Sequence, residues 1–76
     1  MPTTEELGIA LAADVLKAVE DTGDDSLVGQ INTIIEASSS ALQEAYMSAI
    51  RAQRSEAKAR SFLEAKLKKH QMTKAE

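Results

Sequence analysis

The sequence predicts an all-α protein, and three observations carry that prediction. From Leu27 to about Lys69 there is no proline, and Gly29 is the only glycine. That stretch is filled mostly by alanine, leucine, glutamate, lysine, arginine and glutamine, which lose little side-chain freedom in a helix. Apolar residues recur three and four positions apart on both sides of one turn-rich segment, as they do along a helix face.

The first element is a short N-terminal helix, expected over about 4–21. Thr3-Thr4-Glu5-Glu6 has the spacing of a capping box, in which Thr3 accepts from the backbone near Glu6 and the Glu6 carboxylate reaches back. Leu7, Leu11, Val15, Ala18 and Val19 fall together on a helical projection, and Ile9, Ala12 and Leu16 widen the surface to about 200°. The polar face (Glu6, Asp14, Lys17, Asp21) is correspondingly narrow, so this helix wants neighbours on two sides. Asp21-Thr22-Gly23-Asp24-Asp25-Ser26 then reads as a turn. Gly23 can take the left-handed conformation that ends a helix, and Asp24, Asp25 or Ser26 can cap the next one.

The second element is one long helix over about 26–69, which as a single rod would span roughly 65 Å. Ser38-Ser39-Ser40 is its weak point, because serine hydroxyls compete for backbone hydrogen bonds, but continuity is the expectation. A small-residue stripe (Ala41, Ala45, Ala49, Ala52, Ala59) runs from Leu27, Ile31 and Ile34 to Leu63 and Leu67. Beside it lie Ile35, Leu42, Tyr46 and Ile50. Glu56/Arg60 and Glu64/Lys68 are i,i+4 pairs in the favourable orientation, worth tenths of a kcal/mol each. Residues 70–76 are expected to fray. The whole is a single helical domain, a hairpin or an extended pair of helices that oligomerises.

Composition limits the chemistry. There is no cysteine and one histidine, His70. Disulfides and thiolate metal sites are therefore excluded, and one imidazole is too few for an ordinary zinc site. No glycine-rich phosphate loop is present, so neither a cofactor nor an enzymatic activity is expected. Asp21-Thr22-Gly23 matches the aspartic-protease tripeptide but follows a helix, so it reads as a capping turn. Asp21, Asp24 and Asp25 lack the ligand spacing of a calcium loop. No apolar run is long enough to span a membrane. The acidic start differs from the basic opening of a secretory signal. The expectation is a cytoplasmic protein, or one exported by a specialised system without a cleavable signal peptide.

Charge is divided along the chain. Residues 1–44 carry nine acidic groups against Lys17, and residues 45–76 carry eight basic groups against three acidic ones. This division either matches charges to the ends of the helix dipoles, or makes the basic tract Arg51, Arg54, Lys58, Arg60, Lys66, Lys68 and Lys69 a face that is solvated or pairs with an acidic segment, of this chain or of a neighbour. Glu56 and Glu64 interrupt it and it lacks interleaved aromatics, which argues against nucleic acid as its partner.

Length then points to association. A first helix of about 18 residues reaches roughly 27 Å and covers less than half of the long one. Tyr46, Ile50, Phe62, Leu63 and Leu67 would stay largely bare, although burial of such side chains is worth about 1.5–3 kcal/mol each. The expected partner is therefore the chain itself, with another protein as the second option. The expected contacts are Leu11, Val15, Val19, Ile31, Ile35, Leu42, Tyr46, Ala49, Ile50, Leu63 and Leu67, with the Tyr46 hydroxyl at the edge. The rival reading is a small adaptor or regulator that uses the basic face on nucleic acid or an acidic protein.

The segment Ala41-Leu42-Gln43-Glu44-Ala45-Tyr46-Met47-Ser48-Ala49-Ile50-Arg51-Ala52-Gln53-Arg54 resembles a recurring segment of the Reb family, the small proteins that build bacterial R-bodies. The shared features are the Ala41-Leu42 pair, Ala45, the Ser48-Ala49-Ile50 triplet and Ala52-Gln53, with Gly23-Asp24 near the family's Gly-Asp turn. The resemblance covers about residues 23–54. The segment from Ser55 to Lys69 is more charged than the family's glutamine- and alanine-rich continuation. What the resemblance implies is a bacterial structural subunit that polymerises into a protein ribbon without enzymatic activity. The two-helix plan at this size is also similar to the needle subunits of type III secretion systems, whose interhelical turn is not matched here.

Overall fold

Local hydrogen bonds set both ends of the first helix, α1 (Thr4–Thr22). The Thr3 hydroxyl accepts from the Glu6 N–H at 3.0 Å, and the Thr3 N–H donates to Glu6 Oε1 at 3.1 Å, so the capping box is closed. Gly23 ends the helix at φ 75°, a conformation that a side chain would strain, and its N–H donates to the Val19 carbonyl at 2.7 Å. The computed structural model describes the backbone of residues 1–75 and the side chains of residues 1–71. All the regular structure in that range is helical, with α2 (Leu27–Glu36) and α3 (Ser40–Ala75) following α1. The fraying expected for residues 70–76 falls largely on side chains outside the described residues.

The long helix expected over 26–69 is two helices, and the serines are the reason. The Ile35 carbonyl accepts from both Ser38 N–H and Ser39 N–H, at 3.1 and 2.8 Å, which closes α2. The Ser39 hydroxyl then accepts from the Leu42 N–H at 3.2 Å, as an N-cap does for the third residue of a new helix. A serine offering its own acceptor at this point replaces one of the backbone acceptors that the break removes. At the start of α2, Asp24, one of the three expected caps, accepts from the Ser26 N–H through its carboxylate at 3.1 Å. The Ser26 side chain does not cap the helix, and Leu27 and Val28 donate instead to the backbone carbonyls of Asp24 and Asp25.

Because the chain turns at Ser38–Ser39, α2 folds back on α3. The contacts give its direction. Asp25 pairs with Arg54 at 2.7 Å, the Val28 carbonyl meets Tyr46, and the Asn32 side-chain oxygen accepts from Gln43 at 2.9 Å. As α2 advances, α3 is met progressively nearer its start, so the two are antiparallel. Gly8 of α1 lies against Ala45 and Tyr46. Since Asp25 just beyond α1 reaches Arg54, α1 runs in the same sense as α3.

The core formed by the three helices is Ala12, Val15, Val28, Ile35, Tyr46, Ala49 and Ile50, with Leu11, Leu16, Val19, Leu27, Ile31, Leu42 and Met47 packed around it. Tyr46 and Ile50, expected to be bare, are 0 % and 2 % exposed. The turn at the serines explains this reversal, because α2 covers a face of α3 that a straight rod would leave open. The Tyr46 hydroxyl is likewise inside and not at an edge, donating to the Val28 carbonyl at 2.9 Å.

Burial pushes the Tyr46 phenol above its ordinary value of 10.0, although the Arg54 charge pulls the other way. A folded value above the unfolded one means stability that is fully present below about pH 10 and lost as pH rises through the folded value. Tyr46 is the single tyrosine and there is no tryptophan, so the ultraviolet phenolate band reports it alone. The folded protein should ionise with a midpoint above 10, returning to about 10 in denaturant. A folded midpoint at or below the denatured one would contradict the burial.

Beyond this three-helix body, α3 continues alone. Every residue from Arg51 through Gln71 is exposed. The longest dimension is 58 Å, and the radius of gyration is 16.6 Å against roughly 11 Å for a compact chain of this length. The protein is a small body carrying a bare helical stem.

Candidate interaction surface

α3 steps through Ala45, Ala49, Ala52, Glu56, Ala59, Leu63 and Leu67 at intervals of three and four, which places them in one line along the helix. In the body this line forms one wall of a shallow groove whose other wall is the start of α1. Thr4, Glu5 and Ile9 of α1 face Ala45, Ala49 and Ala52 of α3 across it, with Glu44 at its rim. The groove has an apolar floor of short side chains and two carboxylates. Lower down, smaller depressions at Ala52, Gln53, Glu56 and Ala57, then at Glu56, Ala59, Arg60 and Leu63, continue the line into the stem.

The groove has this shape because α1 comes unusually close. A Cβ built on Gly8 would lie 2.6 Å from the Ala45 Cβ and 2.9 Å from the Ala45 carbonyl carbon and the Tyr46 nitrogen. Glycine on α1 and alanine on α3 let the two backbones touch. That approach leaves the Ile9 side of α1 standing beside the alanine line.

On the stem, Phe62, Leu63 and Leu67 are 65 %, 54 % and 52 % exposed, so the expectation that they stay bare in one chain holds. Lys66 Nζ sits 5.6 Å from the Phe62 ring centre, within cation–π range. Arg60 donates to Glu56 at 2.9 Å, one of the two i,i+4 pairs expected. That hydrogen bond and the neighbouring carboxylate charge raise the Arg60 pKa. Arg54 leaves the stem's basic set to pair with Asp25, an acidic-to-basic contact within one chain. Both members are substantially exposed, so solvent and salt keep the worth of this pair below about 1 kcal/mol. Arg51, Lys58, Lys66 and Lys69 remain on the exposed surface.

The eleven expected contact residues divide in the structure. Val15, Ile35, Tyr46, Ala49 and Ile50 lie in the core of the single chain, and Leu11, Val19, Ile31 and Leu42 are half-buried against it. Leu63 and Leu67 alone are exposed, and they stand apart from the rest on the stem. Ile9, Glu5 and Glu44 were not among the expected residues. They become a surface only when α1 lies on α3, a relation that no local pattern carries.

Among the described residues no cluster of three or more histidine, aspartate or glutamate side chains is placed to hold a metal ion. Nor is any described helix long and apolar enough to cross a membrane. No family model, curated protein or solved structure matches the chain.

Proposed function

We propose that this chain is a non-enzymatic helical subunit that self-assembles into a larger oligomer or filament, a structural protein of the R-body or secretion-needle kind. The observation that carries this reading is the bare stem. Three large apolar side chains, Phe62, Leu63 and Leu67, stand in water on a stretch of helix that no other described residue covers. Burying each is worth about 1.5–3 kcal/mol, which a monomer forgoes. The chain's small core leaves little stability of its own, and association is the staple open to a cysteine-free domain. The Reb-like segment supports the same class.

Light scattering coupled to size exclusion tests the reading. The mass of the parent should rise with concentration above the 8.2 kDa of one chain, and negative-stain images should show large species. The double variant Leu63→Asp/Leu67→Asp should keep its helix content and remain a monomer. A parent that stays monomeric at all concentrations contradicts the proposal.

The second reading, an adaptor that acts through the basic face, is favoured by seven basic residues against two acidic ones in exposed positions 51–71. Phosphate contacts would weaken steeply as salt rises, whereas apolar burial would not. Binding of a short DNA duplex at low salt, without self-association, would favour this reading.

A further inference from the structure

We infer that assembly is head to tail: the stem of one copy, about residues 59–70, seats in the α1–α3 groove of the next. The inference rests on the self-assembly proposed above and names its geometry.

Three observations lead to it. The first is shape. The groove floor is the alanine line Ala45, Ala49 and Ala52, with Ile9 on the facing wall, and short alanine side chains leave room for long ones. The stem offers Phe62, Leu63 and Leu67, which lack cover. Leucine against alanine is the pairing that lets two helices approach closely.

The second is charge. The helices and turn of residues 4–36 hold eight carboxylates against Lys17, and Glu5 and Glu44 stand at the groove itself. The seated segment holds Arg60, Lys66, Lys68 and Lys69 against Glu64, with Lys58 just before it. Pairing stem with stem, in either sense, opposes two basic surfaces. Pairing body with body opposes two acidic ones. Stem on body is the arrangement that brings opposite signs together, with Lys58, Lys66 and Lys69 flanking the apolar side chains that enter the groove. Such complementarity fixes partner and register more than it adds affinity.

The third is connectivity. Floor and stem belong to one continuous helix, and Leu63 lies roughly 16 Å beyond Ala52 along its axis. A straight helix cannot bend its stem back onto its own floor, so the occupant is a second molecule. Each copy then uses one surface to bind forward and another to be bound. Unless the same two copies exchange stems reciprocally, which would stop at a dimer, the contact is heterologous and makes open filaments or a larger ring. The seated segment is about 12 residues, fewer than the roughly 20–30 a side of a standard interface. Each contact is accordingly weak, and growth depends steeply on concentration.

Two exposed positions separate the surfaces: Glu44→Lys alters the groove and Leu63→Asp alters the stem. Circular dichroism first confirms that both variants keep parental helix content. Sedimentation velocity over a concentration series should then show the parent growing past the dimer. Each variant alone should associate at least tenfold more weakly than the parent. An equimolar mixture should form a dimer that grows no further. In that dimer the intact stem of Glu44→Lys occupies the intact groove of Leu63→Asp, and both remaining surfaces are spoiled. If the parent associates but Glu44→Lys associates equally well, the groove is not the seat, and self-assembly stands without it. A parent that stops at a dimer overturns the head-to-tail geometry. A parent that never associates overturns this inference and the proposed function together.

Discussion

Tyr46→Ala should leave most molecules unfolded at room temperature, whereas Tyr46→Phe should fold. Tyr46 and Ile50 are the two largest side chains fully withdrawn from solvent, in a core of seven buried residues. Truncating a buried aromatic to alanine costs about 3–5 kcal/mol, since the lost transfer energy is joined by the cavity left behind. A chain of this length has about 4–11 kcal/mol in total, and one with so small a core belongs near the lower end. The phenylalanine variant keeps the ring and loses one hydrogen bond to the Val28 carbonyl, about 0.5–1.5 kcal/mol. Urea denaturation followed by circular dichroism measures both. An alanine variant as stable as the parent would mean that Tyr46 is not the centre of the core.

That result bears on how assembly must be tested. Substitutions at Tyr46, Ala49 or Ile50 strike the interior of one chain, so any loss of oligomers would follow from unfolding. Exposed positions, Glu44 and Leu63 among them, alter surfaces and leave the fold standing. Stability and association therefore separate cleanly only along the boundary between the body and the stem.

What the sequence disclosed follows the reach of each interaction. The capping box at Thr3 and Glu6 and the left-handed Gly23 join residues three or four apart, so their chemistry is visible in a short window. The all-α class follows from composition and period in the same way. The turn at Ser38–Ser39 was visible as a weak point, but periodicity is silent about it. Ile35 and Leu42 are seven apart, as they would be on an unbroken helix, so the apolar phase runs through the break unchanged. Bonds with long reach hold the turned form, among them Tyr46 to Val28, Gln43 to Asn32 and Arg54 to Asp25. A continuous rod would have forgone all three.

The same reasoning explains why the expected contact residues were mostly internal ones. An apolar stripe states that a face will be covered, without saying whether the cover is the same chain or another. Once α2 turned back, the demand of Tyr46, Ile50 and Ile35 was met from within. The stem's Phe62, Leu63 and Leu67 kept theirs, as did Leu7, Ile9 and Ile34 on the outside of the body. The acidic and basic halves likewise meet within one chain, at Asp25 and Arg54, while most of the stem's charge stays outside the body.

The reason for Gly8 lies in another helix, beyond the reach of any local pattern. In isolation, a glycine inside α1 is a defect of about 1 kcal/mol relative to alanine. Against α3 it is the residue that permits contact, since any Cβ there would meet backbone atoms of Ala45 and Tyr46 within 3 Å. Gly8→Val should therefore lose roughly 3 kcal/mol, at the upper end for overpacking, because the obstructing atoms are main chain and cannot swing aside. Gly8→Ala should also destabilise, but less, because improved helix propensity offsets part of the clash. Adding Ala45→Gly to Gly8→Ala should recover only part of the loss: it removes the contact at 2.6 Å and leaves the two at 2.9 Å. Gly29 supplies the control, since nothing lies within 4 Å of a Cβ placed there. Gly29→Ala should stabilise by about 0.4–1 kcal/mol, the ordinary gain at an unobstructed helical site. Opposite signs for alanine at the two glycines, read as shifts in the urea midpoint, would show that close approach of α1 to α3 organises the body. Equal stabilisation at both would mean that α1 stands off from α3, and the groove between them would lose its wall.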